Sequence, residues 1–408
     1  MYRMLKRKNA ALHDAVLDFT QELIEIPSTS LEEGQLAEAI EEHLAGLQYD
    51  RVHRDDAGNV LGIMEGRENG PTLLLNAHMD TVDAEEGDWD QSPFTPDLQD
   101  GRLRGLGASD CKSGLASIVY AGELLRRCML PLRGNLVVAA TVAEENGRSL
   151  GVRHLMDKTL PELHLEPDYA VLAEPTDLRL FHGHDGWAEL DIVLEGENPF
   201  HVRDAAHAVS EELQSTLNSE SGNEGYEFAW MNGPTFEEHA GHRCARIKLD
   251  RRLRDSEKAS EVVERLHNEV AAASGAPSSV KLQVDVAKQD QKLYTGRTIT
   301  VQNVTEAWET NPFNKLVERA RQTLHAAGID ARPGKWNLKK LRMGTAGSVL
   351  VNQHEIPTVG FGPGNEAEAH SANECVEAKN IHHAVYGLAS ISHGLVGVPV
   401  FGWTSDEI

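Results

Sequence analysis

The sequence predicts an α/β domain with a largely parallel sheet, interrupted by a small, lid-like α+β insert. Three observations carry this reading. The short apolar runs 71–78, 135–142 and 169–174 lack alternation, as strands buried on both faces do. Helical segments alternate with them, the order expected when helices connect parallel strands. Near residue 185 the pattern changes: 187–194 and 244–249 alternate apolar and polar residues, the mark of half-buried antiparallel strands.

In chain order, residues 12–25 and 31–47 read as helices. Ser30 is placed to cap the second, and Glu32 and Glu33 suit the positive end of its dipole. Residues 59–64 and 71–78 follow as strands, then a helix over 115–125 and the strands 135–142 and 169–174. Within the insert, 205–217 and 256–273 read as helices. A strand over 280–286 completes a strand-helix-strand-strand-helix-strand order. From Asn311 the α/β pattern resumes with helix 312–327, strand 357–361 and helix 378–396. The expected organisation is one domain from 1–184 and 292–408, interrupted by 185–291. Its 408 residues exceed what one core covers, which suits this division.

Composition narrows the function. The chain has 39 basic against 64 acidic residues, a net charge of −25 that repels nucleic-acid backbones and anionic membranes. No stretch approaches the roughly 18 consecutive apolar residues of a membrane span. The basic N-terminus runs into an amphipathic segment instead of the apolar core of a signal peptide. Cys111, Cys128, Cys244 and Cys375 are far apart with no CxxC pair, which points to a reduced, cytoplasmic protein.

The chemistry-bearing residues cluster at the ends of the buried strands: His78 and Asp80, Asp110, Glu144 and Glu145, Glu174, and His370 in a glycine-rich loop. The carboxyl ends of such strands form the binding crevice of open α/β sheets. Two histidines and several carboxylates converging there would make a nitrogen/oxygen cage for zinc, manganese or cobalt. Singly, a strand-end histidine is usually structural and adjacent glutamates are usually a solvated pair. The glycine-rich loops could be plain turns, and neither carries the dinucleotide fingerprint. The set is more specific than its members.

In order, that set resembles the M20 family of metallopeptidases and amidohydrolases. The matching motifs are His78-Met79-Asp80-Thr81-Val82, Gly107-Ala108-Ser109-Asp110-Cys111-Lys112-Ser113-Gly114, Glu144-Glu145, Leu172-Ala173-Glu174-Pro175-Thr176 and Ala369-His370-Ser371-Ala372-Asn373-Glu374. Tyr294-Thr295-Gly296-Arg297, Phe361-Gly362-Pro363-Gly364-Asn365-Glu366 and Ile118-Val119-Tyr120-Ala121-Gly122 are most similar to the YgeY-type branch, the selenium-metabolism-linked hydrolases.

The resemblance implies a zinc-peptidase-like catalytic domain, a lid and dimerisation insert, and two divalent ions per chain. Zinc is the first expectation, with manganese or cobalt as alternatives. Asp110 would bridge the ions, with His78 and Glu174 completing one site and Glu145 and His370 the other. Asp80 would accept a hydrogen bond from the free nitrogen of His78. Glu144 would be the general base, one residue from a ligand and within reach of the same water.

In the family a lid histidine from the partner subunit stabilises the oxyanion. Here the matching stretch, residues 196–208, lacks the usual Ser-x-Pro turn and Asn-Ala pair. His201 is the candidate by position, with His207 as a substitute. Arg252 matches an arginine that grips a substrate carboxylate, where a salt bridge is the alternative. Gly344 and Thr345 match a loop whose backbone donors approach the substrate, where an ordinary turn is the alternative.

The implied activity is hydrolysis of an amide or related C–N bond in a small substrate, of dipeptide or N-acyl amino acid type, by a homodimer joined through the lid. Three other readings compete: a hydrolase of an unusual non-peptide C–N bond, an inactive ligand-binding relative, and a cysteine hydrolase using Cys111. Retention of Glu144 with all five ligands disfavours the second, and no further histidine constellation supports the third.

Overall fold

The computed structural model describes residues 1–84, 86–146, 149–220, 228–239, 242–253, 257–329 and 343–398. Two compact units divide the chain. One comprises Met1–His184, Gln291–Ile299 and Glu309–Ile408; the other comprises Asp185–Asp290 and Thr300–Trp308.

The first unit is built on a six-stranded sheet in the order Arg51–Arg54, Val60–Met64, Leu136–Thr141, Leu73–His78, Tyr169–Leu172, Thr358–Gly360. The last four strands are parallel, and the first two add antiparallel pairings at one edge. Every residue of Leu73–His78 and Leu136–Thr141 is buried, which is why neither segment alternates in sequence.

Helix Lys112–Arg127 packs on the strand Leu73–His78 and against the helix Ala378–Val396. Its first fourteen residues are all buried. A Cβ on Gly114 would lie 2.0 Å from the carbonyl oxygen of Ala173, so only glycine lets the start of this helix approach the segment leading to Glu174.

Two local expectations change. The helix expected over 31–47 starts at Gly34, and Ser30 does not cap it. Four residues ahead of the helix, Ser30 is not at the position whose side-chain oxygen accepts from the first-turn amides, and its hydroxyl donates instead to Asp80 Oδ2 at 2.6 Å. The helix expected from residue 312 begins at Lys315, capped by the Asn314 side chain, which accepts from the Leu316 amide at 2.8 Å.

The second unit has the strand-helix-strand-strand-helix-strand order. Its antiparallel sheet runs Phe228–His239, His242–Leu253, Gly186–Gly196, Val280–Val286. This spatial order is the ferredoxin-like split βαβ arrangement. Helices Pro199–Glu220 and Ala259–Ser274 contribute Val209, Val262 and Leu266 to an aliphatic core with Leu190, Ile192 and Ile247. Residues of Gly186–Gly196 alternate strictly between buried and partly buried. The segment Thr300–Trp308, beyond the 185–291 span, also joins this unit and pairs Val304 with Ala188. No helix among the described residues is long and apolar enough to cross a membrane.

Candidate metal centre

The first unit gathers the strand-end residues. His78 ends its strand, Asp110 lies just ahead of helix Lys112–Arg127, and Glu144 and Glu145 follow the strand Leu136–Thr141. Glu174 follows Tyr169–Leu172, and His370 lies in the segment after Thr358–Gly360. All but Asp110 thus follow strands of the parallel set, whose carboxyl ends turn side chains toward a common crevice.

Two donor groups result, each with ligand atoms within 4.8 Å of one another. One is His78, Asp110, Cys111 and Glu174, all buried; the other is Asp110, Glu145 and His370. Asp110 belongs to both. Its Oδ1 is 3.1 Å from His78 Nε2 and its Oδ2 is 3.5 Å from His370 Nε2. His370 Nε2 is also 2.9 Å from Glu145 Oε2. All five expected ligands therefore converge.

Cys111 is an additional member of the inner group, its thiol 3.5 Å from the Ala173 carbonyl oxygen. Burial pushes that thiol up to about 12, which makes it a poor nucleophile.

The donor set fits divalent cations. Glu145 Oε1 is buried without a hydrogen-bond partner, an orphan that costs about 1–3 kcal/mol unless something else satisfies it. Burial and the neighbouring Asp110 push Glu145 up to about 7, and burial raises Glu174 well above the carboxylate range. Burial opposes the protonation of His78. Cys111 and the contacts to Asp110 and Asp80 nevertheless carry its pKa well above the usual value. The hydrogen bond to Glu145 carries His370 up to about 9. Carboxylates crowded this way resist ionising together unless cations sit among them.

Asp80 acts through different atoms than expected. His78 Nδ1 lies 2.8 Å from the main-chain carbonyl oxygen of Asp80, while the carboxylate Oδ1 is 3.6 Å away. A carbonyl oxygen only accepts, so Nδ1 carries a proton toward it, and Nε2, which faces Asp110, is the nitrogen that would ligate an ion. The Asp80 carboxylate instead accepts from the Glu144 amide at 3.0 Å and the Glu145 amide at 2.9 Å. The Ala143 amide goes to Glu33 Oε1 at 2.9 Å. Three successive amides are thus held by buried carboxylates. Glu144 itself is 9% exposed and accepts from the Ser149 hydroxyl at 2.9 Å. Burial pushes it up to about 7, the range that suits a general base near neutral pH.

Sequence reasoning missed two supporting residues. Lys112, fully buried, donates to the carbonyls of Leu23 and Ile26 at 2.8 Å each and ties the helix start to the end of helix His13–Glu25. Glu374, also buried, accepts from the amides of Gly107, Ser109 and Asp110. Both stand inside the motifs that carried the family resemblance, which was the available signal.

The remaining candidates are placed differently. His201 lies in the second unit, exposed, in the first turn of helix Pro199–Glu220 and not in a loop; the helix starts six residues before the expected 205. His207 is exposed on the same helix, its ring 5.9 Å from that of Phe236. Arg252 is partly buried on the strand His242–Leu253, opposite Trp187. Its neighbour Arg251 points to the other face, buried, and pairs with Glu257 at 3.1 Å. In the first unit Gly344 is exposed, but the Thr345 amide already donates to His184 Nε2 at 2.9 Å.

Residues 74–393 match the model of peptidase family M20/M25/M40. The uncharacterised protein YgeY of Escherichia coli K12 is 28% identical over 382 residues, covering 87% of this chain and 88% of YgeY. A succinyl-diaminopimelate desuccinylase of Nautilia profundicola is 30% identical over 166 residues, 41% of this chain and 44% of its own. YXEP of Bacillus subtilis, described as a dinuclear metal-binding M20 peptidase, superimposes with a TM-score of 0.67 at 16% identity, covering 94% of this chain and 98% of that structure. The family match spans more than three quarters of the sequence and includes every residue of both donor groups, and on that ground the chain belongs to peptidase family M20/M25/M40.

Proposed function

We propose that this M20 enzyme hydrolyses an amide or related C–N bond of a small substrate, of dipeptide or N-acyl amino acid type. The observation that carries the reading is the pair of donor groups sharing Asp110, with Glu144 adjoining the ligand Glu145. His78, Asp110 and Glu174 would hold one divalent ion, and Asp110, Glu145 and His370 the other. Zinc is the first candidate, with manganese or cobalt as alternatives. When bound, the ions polarise a carbonyl and acidify water.

The chain's own residues do the rest. Glu144 takes a proton from the attacking water at its buried carboxylate and returns it to the leaving nitrogen. Ser149 holds that carboxylate in place, and Asp80 fixes the backbone beneath it. Arg252 is the candidate for gripping a substrate carboxylate. His201 is the candidate for steadying the oxyanion of a neighbouring subunit in a homodimer formed through the second unit. The desuccinylase relative supports N-acyl amino acids as the substrates to try first.

The test is Glu144→Gln. Turnover of a dipeptide or N-acyl amino acid panel is expected to fall about 10²- to 10⁴-fold, with metal content unchanged by elemental analysis. Undiminished turnover would remove Glu144 from the reaction. A wild type that binds metal yet cleaves nothing in a broad C–N panel would favour the ligand-binding alternative.

A further inference from the structure

We propose that Glu374 is a positioning residue that fixes the shared carboxylate of Asp110. The proposal rests on the metal-site reading above and concerns how that site is held in shape.

Glu374 is 1% exposed. Its Oε1 accepts from the Ser109 amide at 2.7 Å and the Asp110 amide at 2.8 Å, and its Oε2 accepts from the Gly107 amide at 2.9 Å. Its main-chain carbonyl also accepts from the Gly105 amide at 3.0 Å. One residue therefore takes four N–H groups from the six-residue segment 105–110. Gly107 has φ +79°, a left-handed conformation in which a Cβ would crowd Thr81 and Lys112. The segment is an irregular turn with no ladder of its own to hold it. Three amide N–H groups converge on this one buried carboxyl group, and together they set the backbone position of Asp110.

The consequence reaches both donor groups. Asp110 is their common member, so a backbone shift at this residue moves Oδ1 relative to His78 and Oδ2 relative to His370 together. Glu374 also follows His370 by four residues. The segment that supplies the outer histidine therefore grips the loop that supplies the shared carboxylate. A second link runs alongside: the Ser109 hydroxyl donates to the Asn365 carbonyl at 2.9 Å and accepts from the Asn365 amide at 2.7 Å.

Glu374→Gln is nearly isosteric, but its NH₂ cannot accept an amide hydrogen, so at least one N–H of the segment loses its partner. Protein stripped by chelation is titrated with cobalt, and the visible spectrum and affinity are recorded beside a thermal melt. The expected result is an affinity about 10- to 100-fold weaker for both ions, with an altered cobalt spectrum. Glu374→Asp, which keeps the carboxyl group on a shorter arm, is expected to fall between the variant and wild type. It replaces the glutamine variant if that one does not fold. Glu377→Gln, removing a surface partner of Arg102, is the control expected to leave binding unchanged.

Wild-type affinity and spectrum in a folded Glu374 variant, whatever its melting temperature, would reduce the residue to a structural role and overturn the proposal. A wild type that binds no cobalt, zinc or manganese would instead overturn the metal-site reading itself.

Discussion

The two units fill their interiors with different chemistry. The first buries the charged or titratable side chains of Glu33, Asp80, Asp110, Lys112, Glu174, Glu374 and His78. The second packs aliphatic side chains of one sheet against two helices; its largest buried charge among the described residues, Arg251, is paired with Glu257. Burying an ion costs several kcal/mol unless partners offset it. The first unit therefore depends on which groups, cations included, neutralise its carboxylates. The second depends on aliphatic shape. A site that holds divalent ions is built at the expense of the unit's own stability, and bound ions are expected to restore it.

The strongest way to break this comparison is Asp110→Asn. If both groups depend on the shared carboxylate, elemental analysis finds neither ion, and turnover falls about 10³-fold or more, the several kcal/mol that metal catalysis supplies. Chelating the wild type should lower the unfolding transition of the first unit alone in calorimetry. At free metal 100 times its dissociation constant, binding stabilises by about 2.7 kcal/mol per site. Equal shifts in both units would mean that their stabilities are not separate.

Ile192→Ala probes the other side. Removing a fully buried side chain at the centre of the second sheet should cost about 2–5 kcal/mol while metal content stays at wild-type level. Loss of metal in that variant would contradict the division.

The smallest effect concerns acid. His393, 6% exposed in the first unit, has a buried Nε2 without a hydrogen-bond partner. Burial pushes its pKa down to about 4. The folded state thus disfavours the protonated ring. The stability this contributes is present above the unfolded value of about 6.5 and is lost as pH falls from there through about 4. His393→Gln should flatten that part of the decline, on the order of 2 kcal/mol, in melts between pH 7 and 4.5. An unchanged slope would assign the acid sensitivity to other groups.

Much of this was legible in the sequence because burial on both faces writes itself as continuous hydrophobicity. The strands ending at His78 and Thr141, and the alternation of Gly186–Gly196, follow directly from composition along the chain. The donor residues were legible because they stand at strand ends in an ordered set.

What escaped is chemistry carried by the main chain. The partner of His78 is a carbonyl and not the carboxylate of the same Asp80, since a two-residue spacing does not say which oxygen faces the ring. Glu374 works on amides about 265 residues away, which no local pattern encodes. Ser30 looked like a helix cap because the competing acceptor, Asp80, is fifty residues distant. His201 fell outside the expected helix 205–217 because that helix begins earlier, at Pro199, whose fixed φ suits a first turn.

The amides of Ala143, Glu144 and Glu145 have a kinetic consequence. All three donate to carboxylates from other parts of the chain, Glu33 and Asp80. Their hydrogens can exchange with solvent only when those bonds open, and opening them releases the backbone that carries both the candidate base and a metal ligand. Exchange at these three positions is therefore a clock for the site itself: it reads how often the catalytic geometry comes apart, without any substrate present.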